Sequence, residues 1–579
     1  MRKSASTLWP YLRRYKRGLA LGMGALTMKD LLAATLPVVM RKGIDSLTQG
    51  FQLETVLWLA GALVAISALK GLFQYWMRVI IIGISRDIEY EMRNDLFARL
   101  ISLSSDFYAR FRTGDIMARS TNDLNAVRMM LGPGIMYWTE TSLTLVLSVS
   151  VMLYVDWPLT LAALMPAPLV SFAVIYFGGK IHQRFEKIQR MFSDISSRVQ
   201  ENFAGARLIR AYVQEEAEME HFRQLNLVYI DQNLRLVKTT GVFMPLLTAL
   251  IAITFLIVLW VGGARLLAGK ITLGSFVMFN TYMGMLIWPM IAMGWVVNLM
   301  QRGTASLARI NEMLDETPSI APPANPLPLA GVRGEIEFRN VDVRYGEIAA
   351  LQNVNFKIPA GSTVAIVGRT GCGKSSLVQL IPRLNDPQAG EVLLDGVNVK
   401  EYDPAEVRLH VGMVPQETFL FSATIAENIA FGVESATRED IVRAANMAGL
   451  EPDLASFPLG LDTVSGERGI TLSGGQKQRT AIARALMRDP KILILDDALA
   501  SVDTLTEERI LRELATVMSG RTTILISHRV STVRHADCIY VLDHGRIVEQ
   551  GTHDQLLAAG GYYAGLHSKQ MLEEELEAI

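Results

Sequence analysis

The sequence has only two cysteines, Cys372 and Cys538, in 579 residues. A disulfide framework is excluded, and a reducing compartment suits such a chain. Charge is also scarce. Asp, Glu, Lys and Arg make up 20% of the residues, against about 25% in ordinary soluble chains. Lys and Arg number 56 against 57 Asp and Glu, a net charge of −1, which leaves no basic excess for bulk nucleic-acid binding. Half the residues are hydrophobic and the mean hydropathy is +0.26, which excludes disorder and argues against a wholly soluble protein. The length calls for more than one domain. No long apolar run lies beyond residue 300.

The apolar residues sit in six stretches, at about 19–40, 55–82, 134–155, 159–177, 240–267 and 273–300. Each suffices for a membrane helix of about 20 residues, although Lys29 and Asp30 interrupt the first. Arg13, Arg14, Lys16 and Arg17 precede the first span, and Lys and Arg crowd residues 83–133 and 178–239, whereas the other links are short. The positive-inside rule then puts both termini in the cytoplasm, with the chain multi-pass in a cell inner (plasma) membrane. The opening MRKSASTLWPYLRRYK reads as an amphipathic elbow at the inner surface, because no small-residue cleavage site follows a short apolar core. Residues 83–133 and 178–239 favour helix, so helices two to five are expected to continue as cytoplasmic stalks. The strings RTGDIMARSTND (112–123) and RAYVQEEAE (210–218) are the expected turns at their tips. Plain cytoplasmic loops are the alternative.

The transmembrane domain thus covers residues 1–311. Residues 312–334, rich in Pro, Gly and Ala, form a linker. From 335 to 579 an α/β pattern takes over, with the apolar runs KILILDD and TTILISH reading as buried parallel strands. STVAIVG leads straight into Gly368-Arg369-Thr370-Gly371-Cys372-Gly373-Lys374-Ser375, followed by Ser376. This string fits G-x-x-x-x-G-K-[ST] between a strand and a helix, the context a phosphate-binding loop requires. Its glycines let backbone N–H groups converge on ATP phosphates, Lys374 reaches the β/γ-phosphates, and Ser375 offers a hydroxyl to Mg²⁺. The run ILIL ends in Asp496, an acid suited to helping hold the ion.

Further strings narrow the class. Leu472-Ser473-Gly474-Gly475-Gln476 lies about 100 residues past the phosphate loop, with Gln416 in VPQETFLF, His528 in ISHRVST, Tyr345 ahead of the loop and Asp503 behind Asp496. In this order and behind six spans, they resemble an ABC transporter of the exporter type. The implied fold is a six-helix α transmembrane domain with long cytoplasmic helical stalks, fused to an α/β P-loop ABC-type nucleotide-binding domain. The resemblance implies that Tyr345 stacks on adenine, and that Gln416 touches Mg²⁺ and the attacking water. It also implies that His528 contacts the γ-phosphate, and that Ser473, Gly474, Gly475 and Gln476 close over ATP held by an opposite subunit. With one phosphate loop and one signature the chain is half a transporter, which must pair with a second half.

One position departs from the family pattern. The general base after Asp496 is normally Glu, and here it is Asp497. The side chain is one methylene shorter, and a misplacement of about 1 Å can cost roughly 100-fold in rate. The intact signature beside a poor base resembles one subunit of the bacterial heterodimeric multidrug exporters with one degenerate site, whose partner carries Glu there. A homodimer that tolerates Asp is the alternative. The sixth span is rich in Met and aromatics (Met278, Met283, Met285, Met290, Met293, Met300), an adaptable surface for small lipophilic cargo or simply a packing surface. Glu140 reads as a cavity acid that would favour cationic cargo. A homodimeric lipid or peptide exporter and an ATP-gated channel remain alternatives. Membrane lipid is an obligatory neighbour; nucleic acid is not.

Overall fold

The computed structural model describes residues 2–50, 53–499 and 504–577. The chain forms two compact units, Met1–Ile101 with Phe111–Glu316, and Ser102–Arg110 with Thr317–Ile579.

The first unit is helical. Among the described residues, six helices are long and apolar enough to cross a membrane: Lys16–Thr48, Leu53–Ser102, Thr113–Val155, Trp157–Ala204, Glu215–Leu267 and Leu273–Leu314. The second alone has 50 residues, about 75 Å at about 1.5 Å per residue, against a hydrocarbon core of about 30 Å. The excess forms the stalks, and the sixth helix, with 42 residues, is over-long as well. The tight link after Val155 is made by Asp156, which caps the next helix by accepting from Leu159 N at 2.8 Å and binds Arg265 Nη2 at 2.6 Å. Asp45, at the end of the first helix, accepts from Gly274 N and Thr272 Oγ1, each at 2.8 Å, where the sixth begins.

Two sequence expectations are corrected here. The string 112–123 is not a turn: the chain reverses before it, around the short helix Ser105–Arg110, and is helical again from Thr113. Burial of two charged side chains explains the difference. Arg119 donates to Arg309 O at 2.9 Å and to Glu312 at 2.8 Å, while Asp123 accepts from Ser306 at 2.9 Å and from Arg309 Nε at 2.8 Å. These partners on the sixth helix stabilise helix in a polar string that would favour a turn in isolation.

The second correction concerns Glu140, whose charge is answered within the chain. Lys29 Nζ lies 2.6 Å from Glu140 and 2.9 Å from Asp30, and Lys29 and Asp30 are both buried. Glu140 is therefore not an unclaimed cavity acid. Lys29→Met leaves two carboxylates without their cation, and breaking a buried pair costs about 3–5 kcal/mol. The variant is expected to melt well below the wild type in detergent. An unchanged melting temperature would show that the pair contributes nothing.

The second unit is α/β. Its strands are β1 (Ile336–Tyr345), β2 (Ile348–Ile358), β3 (Thr363–Gly368), β4 (Ala389–Leu394), β5 (Val397–Asn398), β6 (Val411–Val414), β7 (Ile492–Asp496), β8 (Thr522–Ile526), β9 (Cys538–Asp543) and β10 (Arg546–Gly551). An antiparallel sheet runs β2-β1-β4-β5, and a six-stranded sheet runs β10-β9-β3-β8-β7-β6. In the larger sheet β7 pairs parallel with β8 from Ile492↔Thr522 to Asp496↔Ile526, and β3 lies parallel between β8 and β9. Both faces are covered, so β7 and β8 are buried throughout. The carboxyl ends of β3, β7 and β8 come together at one edge, where doubly wound sheets bind their ligands.

Candidate functional site

β3 is apolar and buried along almost its whole length, and it delivers the phosphate loop at its carboxyl end. The loop must pass close to β2. A Cβ on Gly373, at φ +108, would lie 2.3 Å from Ala350 O, so only glycine fits. Lys374 follows, and its side chain turns back into the loop. Its Nζ donates to Gly368 O at 2.8 Å and to Arg369 O at 2.9 Å. Burial pulls this ammonium below the usual lysine range, against the attraction of Asp497 and Asp496.

Asp496 ends β7 and is buried. Burial raises its pKa, opposed by a hydrogen bond from Ser375. Asp497 is less buried; its N–H donates to Ile526 O at 2.9 Å, and its backbone is left-handed at φ +49. His528 follows β8, and burial first, then Lys374, lower its pKa against the pull of Asp497 and Asp496. Gln416 follows β6 and is exposed. Tyr345 ends β1 with its ring exposed and accepts at Oη from Asn385 Nδ2 at 3.3 Å.

Tyr345, Thr370, Gly371, Gly373, Lys374, Ser375, Ser376, Gln416, Asp496, Asp497 and His528 line one cleft of about 330 Å³. Gly368 and Arg369 serve it through the backbone carbonyls that hold Lys374. The Arg369 guanidinium lies 5.7 Å from the centre of the Tyr562 ring. Cys372 is buried in the loop, and burial pushes its thiol up. In a Cys538→Ser background, N-ethylmaleimide should therefore react slowly at Cys372 and more slowly still with ATP present. Complete modification should abolish ATP binding, and full binding by quantitatively alkylated protein would refute this. Asp503 lies outside the described residues.

The signature stands apart from the cleft. Ser473 caps the helix Gly474–Met487 in a capping box: its N–H donates to Gln476 Oε1 at 2.9 Å and its Oγ accepts from Gln476 N at 3.3 Å. Asp453 holds Gln476 Nε2 at 3.1 Å and Arg479 at 2.6 Å. Ser473 and Gly474 are exposed, and none of Ser473, Gly474, Gly475 and Gln476 lines the cleft. The anchoring residues Asp453 and Asn385 were not legible from sequence, since neither sits in a motif.

The donor chemistry fits Mg²⁺. A serine hydroxyl bonded to a buried carboxylate is a hard, all-oxygen pair, which suits an ion that takes one or two protein ligands beside phosphate and water. Among the described residues no cluster of three or more His, Cys, Asp or Glu side chains offers a separate metal cage.

A phosphate loop at the end of a buried parallel strand, carboxylates on the next strand but one, and a helical unit with six membrane-capable helices define a membrane-bound P-loop ATPase. Comparison with known proteins gives the family. Residues 19–290 match the family described as ABC transporter transmembrane region, and residues 351–500 match that described as ABC transporter. The chain is 38% identical over 540 residues to the probable multidrug resistance ABC transporter ATP-binding/permease protein YheI of Bacillus subtilis, covering 93% of this chain and 92% of the relative. It is 35% identical over 582 residues to the multidrug resistance-like ATP-binding protein MdlA of Escherichia coli, covering 100% and 98%. With an ATP-dependent lipid A-core flippase of Syntrophus aciditrophicus it shares 33% identity over 557 residues, covering 96% and 93%. Among solved structures it resembles a bacterial Atm1-family ABC exporter with ATP bound, at a TM-score of 0.78 and 29% identity, covering 96% of this chain and 98% of that one. The chain belongs to the ABC transporter family and is an ATP-driven exporter.

Proposed function

We propose that this chain is the slow-site half of a heterodimeric exporter of lipophilic or amphipathic compounds. In this reading it lies in the inner membrane with both termini cytoplasmic and pairs with a chain carrying Glu at the position of Asp497. ATP rests on the phosphate loop, with Tyr345 against adenine, Lys374 on the β/γ-phosphates, and Gln416 and His528 at the γ-phosphate. Ser375, Gln416 and Asp496 would hold Mg²⁺, which when bound neutralises phosphate charge. Ser473, Gly474, Gly475 and Gln476 close on the partner's ATP.

The observation that carries the reading is the contrast between the two half-sites. The short carboxylate of Asp497 sits beside Lys374 and His528, while an intact signature presents its exposed helix start elsewhere. Closure of two such chains on ATP shifts the helices from inward- to outward-facing, and hydrolysis at the partner's site resets them. The chain purified alone in lipid nanodiscs should therefore turn over ATP slowly. Brisk turnover by the unaccompanied chain would overturn the degenerate site.

For the cargo, an apolar cavity of about 270 Å³ in the membrane unit is lined by Met283, Met290 and Met293, with Thr141, Ser171 and Thr254 as its few polar groups. Thioethers suit varied apolar shapes, and the lack of charge in the lining favours neutral molecules. A lipid cargo is the second reading, supported by similarity to proteins named lipid A-core flippases. Uptake of a neutral dye into inverted vesicles, set against flipping of a fluorescent lipid, separates the two.

A further inference from the structure

The short helix Ser105–Arg110 lies in sequence between the second and third long helices, yet it belongs to the same compact unit as Thr317–Ile579. Phe107 is buried, and the hydroxyls of Ser104 and Ser319 are 2.5 Å apart. Ser105 Oγ donates to Asn385 Oδ1 at 2.6 Å. The other end of the same amide is used twice: Nδ2 donates to Tyr345 Oη at 3.3 Å and to Gln379 Oε1 at 3.0 Å. Gln379 is the last residue of the helix Lys374–Gln379 into which the phosphate loop opens. One primary amide thus joins the aromatic ring of the cleft, the phosphate-loop helix, and a segment whose two ends continue into membrane-crossing helices.

The loop carrying this amide is braced. Arg383 is buried with a left-handed backbone at φ +49, and its guanidinium meets Asp386 at 3.1 Å. Arg408 Nε donates to Pro382 O at 2.9 Å and its Nη2 to Arg383 O at 2.6 Å. Leu384 N donates to Gln379 O at 3.0 Å. With the loop backbone fixed, Asn385 cannot follow one partner without straining its bonds to the others. Only an amide meets the pattern here, because it accepts at one end and donates twice at the other. An ionised aspartate would only accept.

We propose that Asn385 is a positioning residue that couples nucleotide occupancy at the Tyr345 ring to Ser105, and so to the second and third long helices. The inference rests on the reading of Tyr345 as the adenine partner. The Tyr345 ring is exposed, and its bond to Asn385 is the longest of the three, so this is the arm that a stacked base would fix. Ordering the ring orders the amide, and the amide holds Ser105.

The test uses the full chain in nanodiscs, with hydrogen exchange followed by mass spectrometry at ATP concentrations saturating each variant and ATP affinity measured in parallel. In the wild type, ATP should slow exchange across residues 98–112. Ser105→Ala and Asn385→Ala should bind ATP within about 3-fold of wild type yet lose most of that protection, about 5-fold or more of the ATP effect. Tyr345→Phe, which keeps the ring and removes the hydroxyl, should lose it as well. The Tyr345→Phe/Asn385→Ala double variant should be no worse than either single, as expected for one connected unit. Unchanged exchange in β3 and β7 peptides reports folding. Should Asn385→Ala misfold, Ser105→Ala and Tyr345→Phe decide alone. Tyr345→Ser should weaken ATP binding by about 10-fold or more, by loss of the stacking ring. If it does not, the adenine reading fails and the coupling with it. If it does, but the hydroxyl and amide variants respond to ATP like wild type, the coupling alone is wrong. A wild type whose residues 98–112 ignore ATP also overturns it.

Discussion

Asp497→Glu should raise ATP turnover of the unaccompanied chain by about 10- to 100-fold, because it restores the reach of the general base. The backbone at this position is pinned by the bond from Asp497 N to Ile526 O, so the added methylene must extend into the cleft beside Lys374 and His528. One effect opposes the gain. Residue 497 sits at φ +49, where Asp is tolerated better than longer side chains, and glutamate there costs about 1 kcal/mol. The result is therefore expected in the lower half of that range, with a slightly lower melting temperature. Asp497→Asn should change the rate by less than about 3-fold if the native carboxylate is too short to act as a base. Steady-state phosphate release measures both. A glutamate variant no faster than wild type would mean that reach is not the limit, and the asymmetric reading would fall.

Gly474→Asp should have the opposite and larger effect on the assembled pair, cutting its turnover by about 100-fold or more. The helix Gly474–Met487 is capped by Ser473 and Gln476, and an aspartate in a first turn is compatible with helix, so the helix survives. What changes is the charge: a carboxylate appears where the partner's γ-phosphate is proposed to dock. Removing a single donor from such a site already costs about 100- to 1,000-fold. Lys374→Ala in the same pair acts on the slow site and should cost only about 2- to 5-fold, since the phosphate-loop lysine acts on the nucleotide of its own chain. In a homodimer both substitutions fall on both sites, and the two rates collapse together. Equal collapse in the co-purified pair would refute the division of labour.

Long-range contacts mark the limit of what the sequence shows. The six spans are legible because about 20 consecutive apolar residues have no other common use, and β7 and β8 because a strand buried on both faces must be apolar throughout. Residues 538–551 form the hairpin β9–β10, turned at His544 and Gly545 with φ +45 and +77, as two-residue hairpins require. For Arg119 and Asp123 there was no cue: their helix depends on Ser306, Arg309 and Glu312, nearly 200 residues away. The phosphate loop and Asp496 were legible as motifs with a strand in place. Asn385 and Asp453 were not, because a side chain that braces another has no fixed spacing in sequence.

The excursion Ser102–Arg110 also bears on how this protein can be dissected. A cut after Glu316, the natural place to divide permease from motor, leaves that excursion on the permease fragment, severed from its host. The bond from Ser105 Oγ to Asn385 Oδ1 and the contact between the Ser104 and Ser319 hydroxyls would then be lost. Only the motor fragment would lack a piece of its own compact unit, whereas the permease fragment would carry the excursion without its partners. The second unit is thus assembled from two separated stretches of the chain, and a fragment that begins at Thr317 does not contain all of it.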